Sequence, residues 1–141
     1  MNPSSSEHNL VFILRLGPDK DLKKEIIAFA KAHHIRAGYI ITCVGSLKKA
    51  SLRLADLSIA TTWTQKFEIV SLVGTLAEDG SAHLHLSISD STGNTLGGHL
   101  LDDNLIYTTA EIVIGEAMDL KFTREEDSLT TFKELVVEKR D

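Results

Sequence analysis

The stretch AHLHLSISDSTGNTLGGHL, residues 82–100, alternates apolar and polar side chains on both sides of a turn-forming segment. Because successive side chains of a strand face opposite sides, Leu84 would face the core while His83 and His85 share the other face. The segment DSTGN at 90–94 is typical of a hairpin turn, so the strands before and after it should pair antiparallel. The stretch predicts a β-hairpin with one apolar face and one histidine-bearing face.

A third histidine, His99, lies in the returning strand of this hairpin. With the hairpin axis near residue 92, position 99 falls opposite about position 85. Three imidazoles converging on one point form a ligand set for a divalent metal with open positions; zinc is the default, and nickel, iron and copper also suit imidazole. Gly97 and Gly98 would permit a close backbone approach, or a bulge that re-aims His99. The alternative is that the three histidines lie on a solvent-exposed hairpin face and bind nothing.

The rest of the chain predicts one helix and further strands around this hairpin. Residues 9–16 form an apolar strand, and Pro18 opens a helix whose apolar positions recur through His34. Further strands are predicted near 37–45, 49–56, 66–77, 82–89, 95–100, 105–115, 119–124 and 131–138. We therefore predict an α+β fold in which one main helix packs on a curved, mostly antiparallel sheet. The predicted organisation is a disordered tail at 1–8, a single domain at 9–138 and a C-terminal tail at 139–141.

The charge of the chain is unevenly distributed. The net charge is -5 over 141 residues. Residues 1–70 carry ten basic and six acidic side chains, whereas residues 71–141 carry five and fourteen. No basic side chain lies between Lys66 and Lys121, and such a stretch should repel phosphates and attract cations. The alternative is an ordinary solvated acidic surface.

Composition excludes several other classes of protein. No apolar run reaches the ~18 residues that a membrane-spanning helix needs. The first seven residues lack the basic and apolar regions of a secretory leader, so we expect a cytoplasmic protein. Cys43 is the single cysteine, which excludes an internal disulfide and cysteine-rich zinc motifs.

Three carboxylates are candidates for a role beside the histidines. Glu68 and Glu111 each lie in an apolar strand, where an ionised carboxylate is costly unless it is paired or hydrogen-bonded. Either could orient a ligand histidine or act as a base beside the metal; the alternative is a strand position that faces solvent or a neighbouring subunit. Asp90, directly after the histidine strand, is the third candidate.

The order of these segments resembles the plants and prokaryotes conserved (PPC) domain family. The resemblance covers about residues 9–138. Its parts are GYIITCVGSL at 38–47, KFEIVSLVGT at 66–75, HLH at 83–85 with Asp90 and Gly93, GGHL at 97–100, and TAEIVI at 109–114.

The resemblance implies an α+β fold that assembles as a homotrimer. It also implies a bound metal at His83, His85 and His99. Gly97 and Gly98 match glycines of the family, and Glu68 matches its Phe-Glu-Ile acid. Plant members accompany AT-hooks and relatives are often labelled DNA-binding, but this sequence has no Arg-Gly-Arg-Pro core, and its charge argues against direct nucleic-acid binding.

Our leading hypothesis is a homotrimeric binding or assembly module, with a regulatory role, that holds a divalent metal on the three histidines. One alternative is a DNA-binding protein, acting directly or through a partner. A second is a metal-dependent enzyme acting on a small anionic substrate, since a metal with open positions could bind such a ligand or a water molecule.

Overall fold

Nine strands and one helix follow one another along residues 4–141, the part of the chain that the computed structural model describes. They are β1 (Asn9–Leu16), α1 (Leu22–Ala32), β2 (Ala37–Arg53), β3 (Ala60–Trp63), β4 (Phe67–Ala77), β5 (Ala82–Ser89), β6 (Thr95–Leu100), β7 (Leu105–Ala117), β8 (Leu120–Glu126) and β9 (Lys133–Lys139). One helix with mostly antiparallel sheet confirms the predicted class. Residues 1–3 of the predicted tail at 1–8 lie outside the described residues.

The helix begins later than the sequence predicted. Asp21 is its N-cap, and the carboxylate of Asp21 accepts a hydrogen bond from the Lys24 amide at 3.1 Å. A side chain that binds a free amide of the first turn fixes the helix start, so Pro18 lies in the preceding loop. Leu22, Ile26 and Ala30 are buried and join the main core. At 11 residues, this sole helix of the described chain is too short to cross a membrane.

The main sheet curls until its sixth strand returns to the second. Its order is β1-β7-β2-β4-β5-β6, β3 is added to β2, and every pairing is antiparallel. β6 also pairs with the end of β2, where Leu52 lies opposite Leu100 and Arg53 lies opposite His99. The curling therefore brings residues 52–53 and the histidine hairpin together.

A buried amide links the end of β2 to the loop before β7. The Asn104 side chain is fully buried; its oxygen accepts from the Ser51 amide at 2.9 Å, and its nitrogen donates to the Ser51 carbonyl at 2.9 Å and to the Leu101 carbonyl at 2.7 Å. The two bonds to Ser51 are buried and the bond to Leu101 is partly buried, so Asn104 positions the strand end that approaches β6.

Two strand predictions were wrong. The predicted strands 37–45 and 49–56 are one continuous strand, because register shifts absorb the irregularity around Gly45 without ending the pairing with β7. A Cβ on Gly45 would clash with the Thr109 carbonyl oxygen, which explains the glycine there. The short β3 was not predicted at all; its four residues pair with the end of β2.

The last two strands form a separate hairpin over one end of the main sheet. β8 and β9 pair antiparallel, with Arg124 opposite Leu135. Leu120 and Phe122 are buried against Ala37 and Ala77. The Phe122 amide donates to the Arg36 carbonyl at 2.8 Å, and the Phe122 carbonyl accepts from the Glu78 amide at 2.9 Å. These contacts fix the hairpin relative to β2 and β4.

Candidate metal centre

The β5–β6 hairpin presents its three histidines on one face. Leu84, Leu86 and Ile88 are at most 1% exposed and fill the core beneath β5. Because strand side chains alternate, His83 and His85 project from the opposite, outer face. The register places His85 directly opposite His99, as the hairpin axis near residue 92 predicted.

The three imidazoles form a nearly equilateral triangle. Their ring centroids are 5.0 Å apart for His83 and His85, 5.5 Å for His83 and His99, and 5.6 Å for His85 and His99. One nitrogen from each ring lies within 4.8 Å of the other two. Among the described residues, this is the one group of three or more histidine, cysteine or acidic side chains close enough to hold a metal ion.

Glycines allow the backbone to approach closely around this triangle. A Cβ on Gly98 would lie 2.7 Å from the Arg53 carbonyl oxygen, and one on Gly97 would lie 2.8 Å from the Leu86 carbonyl oxygen. Real Cβ atoms essentially never approach backbone atoms so closely. The two glycines therefore let β6 lie between β5 and the end of β2.

The surroundings favour neutral imidazoles. Partial desolvation lowers the pKa of His99 to about 4, and the positive charge of Arg53 contributes in the same direction. Desolvation also lowers the pKa of His83, followed in effect by the positive charge of Arg124. Neutral imidazole is the form that binds a metal ion, so these two rings are ready to act as ligands at neutral pH.

One histidine nitrogen is buried without a partner. Nδ1 of His99 is inaccessible to solvent and makes no hydrogen bond. A buried polar atom of this kind costs free energy unless something binds it, and an imidazole nitrogen can be satisfied by a donor or by a metal ion. The orphaned atom and the all-imidazole donor set both fit a divalent transition metal.

The predicted carboxylates lie outside this group. The Asp90 carboxylate accepts hydrogen bonds from the amides of Thr92 at 2.9 Å and Asn94 at 3.1 Å, so it stabilises the hairpin turn. Glu68 is exposed on the outer face and lies opposite Ser46 and Ser89 in the two neighbouring strands.

Glu111 is likewise exposed on the outer face, between Arg15 of β1 and Val44 of β2. Strict alternation along β4 would place Glu68 on the same face as Val70 and Leu72. The bulge between Ile69 and Ser71 instead turns Leu72 into the core, where it is 2% exposed.

Basic side chains surround the histidines, which the sequence did not predict. A cavity of about 460 Å³ is lined by His83 and His99 together with Arg53, Arg124 and Lys133. All three basic residues lie outside the acidic stretch between Lys66 and Lys121. Only the folding of the chain brings them close to the histidines of that stretch. The periodicity of a single strand carries no signal for such a contact.

The chain is similar to several known proteins. Residues 4–118 match the Plants and Prokaryotes Conserved domain. The chain is 45% identical over 129 residues to the bifunctional protein GlmU of Synechococcus sp. strain JA-3-3Ab; the match covers 92% of this chain and 21% of that protein. It thus spans about a fifth of that curated relative.

Two solved structures share the fold over nearly their whole length. A hypothetical protein from Salmonella cholerae-suis has 36% identity and a TM-score of 0.94, with 97% of this chain and 98% of the other covered. A metal-containing protein from Archaeoglobus fulgidus has 24% identity and a TM-score of 0.83, with 96% and 99% covered.

Proposed function

The chain belongs to the plants and prokaryotes conserved domain family, and from that premise we propose that it is a homotrimeric binding and assembly module that holds a divalent metal, zinc by default, on His83, His85 and His99. The observation that carries the metal proposal is the triangle of ring nitrogens within 4.8 Å of one another. The metal-containing relative from Archaeoglobus supports it by analogy of fold.

The residues present suit a transition metal better than a hard cation. All three donors are imidazole nitrogens, which zinc, nickel, copper and iron accept and which magnesium and calcium do not favour. Two nitrogens on one tetrahedral zinc ion lie about 3.4 Å apart, so the three rings would move closer together on binding. When bound, the ion would supply a concentrated positive charge and open coordination positions.

Metal analysis of the purified chain tests this proposal. We expect about one ion per wild-type chain, and loss of most of that metal in His83→Ala and His99→Ala. His34→Asn is the matched control, because His34 ends the helix in a left-handed conformation that asparagine tolerates and does not line the cavity. Substoichiometric metal that is unaffected by the His83 and His99 substitutions would refute the site.

Exposed apolar side chains on the outer face, which also carries Glu68 and Glu111, support assembly. Ile13, Val44, Val70 and Val73 are 77%, 56%, 54% and 54% exposed, and the register carries them across β1, β2 and β4 on the outer face. Val73 lies directly opposite His85, so this face reaches the histidines. Contiguous exposed apolar patches commonly mark protein interfaces.

Light scattering tests the oligomeric state. We expect a mass three times that of the 15.5 kDa chain, and dissociation when Ile13→Glu places a charge on the apolar face. Leu129→Glu is the control, since Leu129 is 92% exposed in the turn between β8 and β9 and should leave the mass unchanged. A monomeric wild-type chain would contradict the trimer.

A further inference from the structure

The β8–β9 hairpin forms a wall of the histidine cavity. It lies beyond residues 4–118, the part that the family model matches. Arg124, Phe132, Lys133 and Glu134 of this hairpin line the cavity that contains His83 and His99. Phe132 is 69% exposed and adds an apolar surface to the cavity.

Two guanidinium groups flank the histidines from different strands. Arg53 of β2 lies directly opposite His99, a position at which Cβ atoms are ~4.5–5.5 Å apart. Arg124 of β8 donates from Nη2 to the Thr75 hydroxyl at 2.8 Å, and Thr75 lies directly opposite His83. The hydrogen bond anchors the Arg124 guanidinium beside His83.

Among residues 4–141, neither guanidinium group forms an ion pair with a carboxylate. The ion pairs of this part of the chain are formed by other basic side chains, such as Arg36 and Arg140. A guanidinium carries five N–H donors in a planar fork that matches the oxygens of carboxylate or phosphate. Two such forks in one cavity leave donors available to a ligand.

The charge of the cavity also favours an anion. Arg53, Arg124 and Lys133 supply three positive charges, against two negative charges from Asp79 and Glu134. The Asp79 carboxylate already accepts from the Ser81 amide at 2.8 Å, and Glu134 accepts from the Thr130 hydroxyl at 2.9 Å. A divalent metal on the histidines would add two more positive charges.

We propose that this cavity binds a small molecule through an oxyanion group, carboxylate or phosphate, held between the three-histidine centre and the side chains of Arg53 and Arg124. An apolar part of the ligand would contact Phe132. The role of the metal in this binding depends on the proposed function above, whereas the arginine pair is a feature of the chain itself. The C-terminal hairpin thereby becomes the element that selects the ligand.

Calorimetric titration with inorganic phosphate and, separately, with malonate tests this site. Each titration is run on the metal-free and the metal-loaded protein, for wild type, Arg53→Gln and Arg124→Gln. Glutamine keeps part of the side-chain length while removing the charge and the fork. Lys24→Gln is the control, because it removes one positive charge from the exposed surface of α1 and Lys24 does not line the cavity.

We expect at least a tenfold rise in the dissociation constant of the tighter-binding probe in both arginine variants, and no change in Lys24→Gln. Tighter binding of phosphate would identify a phosphate ligand, and tighter binding of malonate a carboxylate. Equal affinity in all four proteins, equal losses in the lysine and arginine variants, or no binding by wild type would overturn the oxyanion site.

Metal stoichiometry, measured on the same samples, separates this proposal from the previous one. Arginine-dependent binding in a protein that takes up no metal would refute the metal centre and leave the oxyanion site standing. Stoichiometric metal with an anion affinity that neither arginine substitution changes would refute the oxyanion site and leave the metal centre standing.

Discussion

Arg53, the last residue of β2, lies directly opposite His99 in β6, and the Arg53 carbonyl oxygen occupies the space that a side chain on Gly98 would need. The candidate metal centre therefore depends on a contact that closes the curled sheet. Its third histidine is positioned by a strand far away in the sequence as well as by its own hairpin.

Substitution of Gly98 by alanine should disrupt this contact. The new Cβ would lie 2.7 Å from the Arg53 carbonyl oxygen, so β6 must move away from β2. We expect a loss of about 1–3 kcal/mol in the free energy of unfolding, measured by urea denaturation, together with weaker metal binding. Gly17→Ala is the control, because a Cβ on Gly17 meets nothing within 4 Å. Equal stability of the two variants would contradict this account.

Much of the histidine hairpin could be predicted from the sequence. Alternation of apolar and polar residues places His83 and His85 on one face, and the turn at 90–94 brings His99 opposite His85. Both effects arise from residues that are close in sequence, so they can be predicted from one sequence. The periodicity of the other segments also predicted the α+β fold, the family resemblance implied the same fold, and the family match and the structural neighbours support it.

The basic wall of the cavity could not be predicted in the same way. Arg53 reaches His99 because the sheet closes on itself, and Arg124 reaches His83 because a separate hairpin packs over β4. Each is a contact between segments far apart in sequence, for which local periodicity holds no information. The acidic stretch after Lys66 predicted a cation-attracting region, whereas the folded cavity also gathers three basic side chains.

The buried amide of Asn104 should be important for stability. Asn104→Ala removes the partners of the Ser51 amide and carbonyl and of the Leu101 carbonyl. Because buried polar groups without partners are costly, we expect a loss of about 3 kcal/mol, measured by thermal or urea unfolding. Asn94→Ala, in the exposed turn before β6, should cost much less. Similar losses in the two variants would show that the Asn104 network is dispensable.

Because of the Cys43 thiol, the free energy of unfolding should fall as the pH becomes alkaline. Burial raises the pKa of Cys43 to about 12 from its ordinary value of 9.0, and the side chain is 5% exposed. The protonated thiol is thus favoured in the folded chain, and this stabilisation is complete below pH 9. Between about pH 9 and 12 it is lost at up to about 1.4 kcal/mol per pH unit, because only the unfolded thiol ionises.

Comparison with Cys43→Ala isolates this effect. Urea unfolding of both proteins between pH 7 and 11 should show a difference in stability that shrinks as the pH rises. A thiol reagent at pH 8 should also modify the native wild-type chain no faster than the chain unfolds, since the neutral buried thiol is unreactive. A constant stability difference together with rapid native modification would show that Cys43 is neither protonated nor protected.

The buried carboxylate of Glu116 should depend on Arg140, near the end of the chain, for its counter-charge. Glu116 is 3% exposed; its Oε1 accepts from the Arg36 amide at 2.8 Å and pairs with the Arg140 guanidinium, whose Nε also donates to the Leu120 carbonyl at 2.6 Å. Arg140 lies within the segment predicted as a tail at 139–141, yet it balances a charge that water cannot reach. Arg140→Ala should therefore cost about 3 kcal/mol of unfolding free energy, because a buried carboxylate loses its counter-charge.

A second substitution distinguishes this ion pair from a general effect at the end of the chain. Glu116→Gln removes the buried charge, so adding it to Arg140→Ala should restore part of the lost stability. Lys139→Ala removes an exposed neighbouring charge and should change unfolding by less than about 0.5 kcal/mol. If Glu116→Gln instead adds its full cost to that of Arg140→Ala, the two side chains are not coupled, and the stability of this end of the sheet must come from the apolar contacts of Leu120 and Phe122.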